Sequence, residues 1–154
     1  MKTLVISTYL EADPQTLQDH IGRSALLHYV ARGVLRFVPV DPPAFPEQWE
    51  RGKYTAKMYW KGFFPLGLQT IGIEPQPVKD GVWSMRDNGY GTMIKTWDHT
   101  IEVSPKGSGA LYVDRITVDA GILTPVVALF AARFYKHRQK RLRRLVENQF
   151  DYSR

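Results

Sequence analysis

Apolar and polar residues alternate along residues 2–12, with Leu4, Ile6, Thr8 and Leu10 on one side, the period of a half-buried strand. Asp13 followed by Pro14 is an N-cap with proline at the first helical position and predicts a short helix to about residue 23. Ser24 can cap a second short helix through Leu26, Leu27, Tyr29 and Val30, ended by Gly33. Residues 34–40 are rich in β-branched and aromatic side chains and read as a strand. From Lys53 the pattern is a meander, with strands over residues 54–62 and 66–74. Residues 82–87 are expected to pair with 90–103 through Asn88-Gly89, a strong hairpin signal. A turn over residues 105–109 leads to a last strand over residues 110–118.

The final element is a long helix. Thr124 as N-cap and Pro125 behind it open a helix to about Asn148, roughly 35 Å at 1.5 Å per residue. On a wheel of 100° per residue, Val126, Val127, Phe130, Ala131, Phe134 and Leu145 share one face. That face is too apolar to stand in water, and the only large partner available is the sheet. Four prolines between Pro39 and Gly52 stiffen a long loop that carries Phe45 and Trp49. Loops of this length in small domains are often lids or binding loops, and these two side chains are expected to cover a cavity mouth.

A chain of 154 residues with 44% hydrophobic content can bury a real core as one domain over residues 1–154. The absence of cysteine excludes disulfides, thiolate metal sites and a cysteine nucleophile. The start lacks the apolar run of a signal peptide, and the apolar stretch at residues 121–132 is too short to span a bilayer. A soluble, cytoplasmic protein is therefore expected. The net charge of +6 is local: it resides in Lys136, Arg138, Lys140, Arg141, Arg143 and Arg144. Nucleic-acid recognition would need basic residues in several elements, so this patch reads as the solvated side of the helix end, with an anionic membrane surface or an acidic headgroup of the ligand as the alternative partners.

One strand, two short helices, six or seven antiparallel strands and one long helix make an α+β layout in which the helix must cover the apolar face of the sheet. A strongly twisted sheet curls around such a helix, and a single helix cannot fill the concavity. This order and these lengths resemble the START-like superfamily, also called polyketide cyclase/Bet v 1-like or SRPBCC, across nearly the whole chain. Asn88-Gly89-Tyr90-Gly91, Trp97-Asp98-His99, the segment from Asp119 to Pro125 and the segment from Phe134 to Gln139 look like those of uncharacterised bacterial members. The resemblance implies a helix-grip fold with a ligand cavity under the C-terminal helix. It implies little about chemistry, since the superfamily holds lipid carriers, receptors, cyclases and subunits of larger enzymes.

With Lys106-Gly107 as the centre of the last turn, His99 would face Asp114 and Trp97 would face Ile116. Trp97, His99, Ile101 and Val103 would then share the concave face with Tyr112, Asp114 and Ile116. A carboxylate-oriented histidine in an apolar cavity is what a general acid/base requires; a buried polar pair that only satisfies itself is the structural alternative. Measured along the helix, His137 and Arg138 fall near this pair, and His137 and Arg141 lie on the inner stripe. Tyr54, Met58, Trp60, Trp83, Met85, Trp97, Ile101, Tyr112, Ile116, Val127, Phe130, Phe134 and His137 are the expected ligand-contacting residues. The four histidines occur in no recognised ligand spacing, and neither a phosphate-binding glycine loop nor a nucleophile elbow is present, so no metal and no cofactor are expected. Three functions remain: a carrier of an apolar or amphipathic small molecule (lipid, polyketide or aromatic metabolite), a cyclase- or hydratase-like enzyme using His99 and Asp114, or an interaction protein acting through the basic helix end.

Overall fold

A computed structural model describes residues 1–154 and has the architecture implied by the order of elements. β1 (Lys2–Leu10) is followed by α1 (Pro14–Ile21), α2 (Ser24–Ala31), β2 (Leu35–Asp41), β3 (Gly52–Trp60), β4 (Phe64–Pro75), β5 (Trp83–Gly91), β6 (Thr96–Lys106) and β7 (Gly109–Asp119). A 3-10 turn, Gly121–Leu123, leads into α3 (Thr124–Glu147). The strands form one curved antiparallel sheet in the order β1-β7-β6-β5-β4-β3-β2. Strands β2 to β7 are a meander, while α1 and α2 carry the chain from β1 at one edge to β2 at the other.

Local chemistry sets the helix starts. Asp13 caps α1, its Oδ2 accepting the Thr16 amide at 3.0 Å. Thr124 is the first residue of α3 rather than its cap. Its hydroxyl accepts from the Ala120 amide at 3.0 Å and donates to the Gly121 carbonyl at 2.7 Å, tying the 3-10 turn to the helix.

Asn88-Gly89 is not a turn. β5 runs through it to Gly91, and the chain reverses over residues 92–95, where the Gly91 amide donates to the Ile94 carbonyl at 2.8 Å. These glycines serve close backbone approach instead. A Cβ on Gly89 would lie 2.9 Å from both the Thr70 and Trp97 carbonyl oxygens, and one on Gly72 would lie 2.6 Å from the Asn88 carbonyl oxygen. A lane of residues without side chains across adjacent strands lets the sheet bend toward the helix.

The last turn is centred one residue later than expected, on Gly107-Ser108, with Gly107 at a φ of +56°. His99 therefore faces Ile116, Ile101 faces Asp114 and Trp97 faces Val118. The pairing slips by two residues, which preserves the face on which each side chain lies.

α3 packs against β1, β7 and α2. Its buried stripe is Ala128, Ala131, Phe134, Tyr135, Arg138, Gln139, Leu142 and Leu145. This is rotated from the stripe expected on the wheel: Val126 is 67% exposed, and His137 points sideways to α2. The core falls into two clusters. One joins α1 and α2 to β6, β7 and the end of α3 through Leu17, Tyr29, Val103, Tyr112 and Leu142. The other, around Phe37, Tyr54, Ile71, Trp97 and Phe134, lies against the first half of α3.

Candidate functional site

Between β2–β6 and α3 lies a cavity of about 340 Å³ whose wall is apolar at 23 of 27 residues. The volume falls within the range of small-molecule sites. The four polar lining residues are Gln69, Asp87, His99 and Arg138. Of the residues expected to contact a ligand, Met58, Trp60, Met85, Trp97, Ile101, Val127, Phe130 and Phe134 line it.

Five others do not. Tyr54 is buried under Phe45 and Trp49 and donates to the Glu50 carbonyl at 2.8 Å. Trp83 packs on the second cluster, and Ile116 is fully enclosed in the first. Tyr112 is spent on Asp114. His137 is turned away from the sheet, its Nε2 donating to the Arg32 carbonyl at 2.7 Å. Residue 137 lies 100° around the helix from residue 138, and Arg138 takes the inward place. In the proline-rich loop, Trp49 lines the cavity and Phe45 packs behind it, ring centroids 5.1 Å apart. The loop is pinned to the α1–α2 junction, the Ser24 amide donating to the Glu47 carbonyl and the Trp49 amide to the Gly22 carbonyl.

His99 and Asp114 are joined despite the slipped register. Being diagonal rather than opposite neighbours, they bridge two strands with a His99 Nε2 to Asp114 Oδ1 distance of 2.6 Å. Asp114 is a hub: Tyr112 Oη donates to its Oδ1 at 3.0 Å, and Gln139 Nε2 donates to its Oδ2 at 2.9 Å and to the Ile6 carbonyl at 2.8 Å. Burial by itself would raise the Asp114 pKa, but the hydrogen bond and charge of His99, with Arg138 and Gln139, leave it below the usual carboxylate value. Burial holds His99 below its ordinary value, against the pull of Asp114. Asp114 is thus a carboxylate and His99 a neutral imidazole that donates through Nε2, leaving Nδ1 as an acceptor with no protein partner.

Asp87 and Arg138 stand on opposite walls. Asp87 is the cross-strand partner of His99, with Oδ1 accepting the Gly72 amide at 2.8 Å. Burial raises its pKa to about 7, with the Gly72 amide and Arg138 pulling the other way. A turn at Asn88-Gly89 would end the strand at Asp87, whereas β5 continues to Gly91. Continued alternation from Trp83 through Met85 places Asp87 on the concave face, and the same alternation in β4 selects Gln69, Ile71 and Ile73.

Arg138 was expected in the exposed basic run as well as near the His–Asp pair. It is only 6% exposed, and its guanidinium lies over the rings of Phe134 and Tyr135 at 5.7 and 5.3 Å. Arg141 also leaves the run, its Nε donating to the Tyr29 carbonyl at 2.6 Å above the Tyr29 ring. Lys136, Lys140, Arg143 and Arg144 stay on the outside, Arg143 reaching the Thr8 hydroxyl at 3.1 Å. The run is divided because α3 turns one side inward every 3.6 residues.

No family model matches the sequence, and no curated protein matches it. Solved structures do match. Protein CV1439 from Chromobacterium violaceum is similar over 96% of this chain and 99% of its own, with a TM-score of 0.68 and 15% identity. A START superfamily protein from Mycobacterium smegmatis matches over 96% of this chain and 98% of its own, with a TM-score of 0.65 and 12% identity. The AHSA1 protein from Silicibacter pomeroyi matches over 96% and 99%, with a TM-score of 0.62 and 12% identity. At these identities the likeness is one of fold: the chain has the helix-grip architecture of these structures. No helix is long and apolar enough to cross a membrane.

Proposed function

We propose that the protein holds an apolar or amphipathic small molecule between the sheet and α3. The observation that carries this reading is the cavity itself, about 340 Å³ with 23 of its 27 lining residues hydrophobic. A packed interior has few voids larger than a water molecule, and apolar space of this size costs stability unless something fills it. Trp49, backed by Phe45, closes one side as a lid. At the other end Met93, Leu123 and Val126 are 61, 49 and 67% exposed while still lining the cavity, and form its apolar mouth. Native mass spectrometry of protein purified from a lipid-rich extract tests the reading. A co-purifying mass lost on denaturation is expected, and Val127→Trp, which places a ring in the cavity, should carry less of it. Equal loading of both proteins, or no uptake of any offered apolar molecule, would sink the idea.

A second reading rests on the contact of His99 with Asp114 at the cavity wall. A neutral imidazole oriented by a carboxylate, with Nδ1 free, is equipped to take a proton from a bound substrate. It requires the Nε2–H tautomer near neutral pH, which nitrogen-15 NMR of the histidine ring reads directly. A proton on Nδ1 would remove the base.

A further inference from the structure

We infer that the ligand is an amphipathic acid, bound head first, whose oxyanion pairs with the Arg138 guanidinium. This deepens the carrier reading and rests on it. Arg138 lines the cavity, yet it forms no salt bridge, and its Nε is fully buried without a partner, while the Tyr112 hydroxyl and the Asp114 carboxylate act on the guanidinium from one side. Arginine stays protonated in proteins; the Asp114 carboxylate acts on it without a direct ion pair and is shared among three other donors, and a buried donor left unpaired is costly. The aromatic faces of Phe134 and Tyr135 offset only part of that cost.

The anionic acceptors nearest to Arg138 are already engaged. Both oxygens of Asp114 receive donors, from His99 and Tyr112 on one side and Gln139 on the other. The Tyr135 hydroxyl accepts from Trp97 Nε1 at 2.8 Å, and its own proton has no protein acceptor. Asp87 forms no ion pair with Arg138 and has one oxygen on the Gly72 amide. Its pKa of about 7 reflects burial first. The charged and titratable groups that act on it are Arg138 from α3, Asp98 from β6 and Glu74 from β4, with His99 of β6 directly across the strand pair. Near neutral pH much of Asp87 is protonated, and its second oxygen becomes a donor instead of a repelling charge. This end of the cavity therefore gathers the Arg138 cation, the Tyr135 hydroxyl and the protonated Asp87 as donors, with His99 Nδ1 as an acceptor beside them; among these the cation is the group that selects an oxyanion.

The direction of binding follows from α3. Val126 lies at the apolar mouth and Arg138 twelve residues further along, about 18 Å at 1.5 Å per residue. An acid head at Arg138 leaves its tail along Phe134, Phe130 and Val127 toward the mouth.

The test uses N-phenylnaphthylamine, an uncharged fluorophore, to report cavity occupancy in the delipidated protein. It is displaced with dodecanoic acid, dodecyl phosphate and dodecanol. One acid should displace it at least about tenfold more effectively than the alcohol, the scale of a charge-assisted hydrogen bond. Which acid is stronger assigns the head as carboxylate or phosphate. In Arg138→Met that preference should vanish while the fluorophore still binds. Should that variant not fold, Arg138→Lys should keep part of the preference and Arg138→Gln should lose it. Equal displacement by acids and alcohol in the wild type, or an acid preference that survives loss of the charge, would overturn the proposal. Failure of the wild type to bind the fluorophore or any of the three ligands would instead overturn the carrier reading beneath it.

Discussion

Replacing Asp87 with asparagine should stabilise the protein, and should do so only as pH rises. The carboxyl lies in the cavity wall with its pKa raised from 3.8 to about 7. A folded-state pKa above the unfolded value means that the folded chain binds the proton more tightly. Its contribution is therefore fully present below about pH 4 and lost as pH rises toward 7. At 1.36 kcal/mol for each pH unit, the loss is at most about 4 kcal/mol; cavity water screening the exposed part of the side chain reduces it to about 2 kcal/mol. Asparagine keeps an oxygen for the Gly72 amide and carries no charge to desolvate. Urea unfolding of the delipidated wild type and Asp87→Asn, at steps from pH 4 to pH 8.5, reads the difference. The two should be nearly equal at pH 4, with the variant ahead by about 2 kcal/mol at pH 8. A difference independent of pH, or a wild type more stable at pH 8, would refute the reasoning. A confirmed gain would mean that this carboxyl is retained at the expense of stability, as polar groups in binding sites often are.

Other consequences follow from the same geometry. Asp114→Asn should lower stability by about 3 kcal/mol in urea unfolding, because it leaves three buried donors around a side chain that is itself half donor; a loss under 1 kcal/mol would mean that the hub is not formed. Gly89→Ala should cost about 1–3 kcal/mol, since its Cβ meets two carbonyl oxygens in mid-sheet. A Gly89→Ala variant as stable as the wild type in thermal melts would place Gly89 in an open turn after all. If the outer basic residues draw the protein to anionic vesicles, Lys136→Ala, Lys140→Ala and Arg144→Ala together should abolish salt-sensitive co-sedimentation. The same triple variant should leave fluorophore affinity unchanged, because none of the three lines the cavity.

What could be read along the chain was what neighbouring residues decide among themselves. Alternation marked β1, the proline and Asp13 signals marked the helix starts, and apolar periodicity marked α3 as the element that must cover a sheet. The number and order of these elements then left little choice but a sheet curved around a helix. The Asn88-Gly89 pair misled because the same two residues suit a tight turn or a close strand crossing, and only the positions of Thr70 and Trp97 on neighbouring strands select the second. His99 and Asp114 came out on one face although the turn was misplaced, since a slip of two residues leaves parity intact and a diagonal pair of long side chains can still touch. The polar wall of the cavity depended on tertiary structure. No local rule turns a cation such as Arg138 inward and leaves His137 outside: the helix's own apolar pattern favours a slightly different face, and the docking of α3 on β1, β7 and α2 sets its rotation. One residue of helical phase is 100°, so that docking, invisible in the pattern, decides which side chain a ligand would meet.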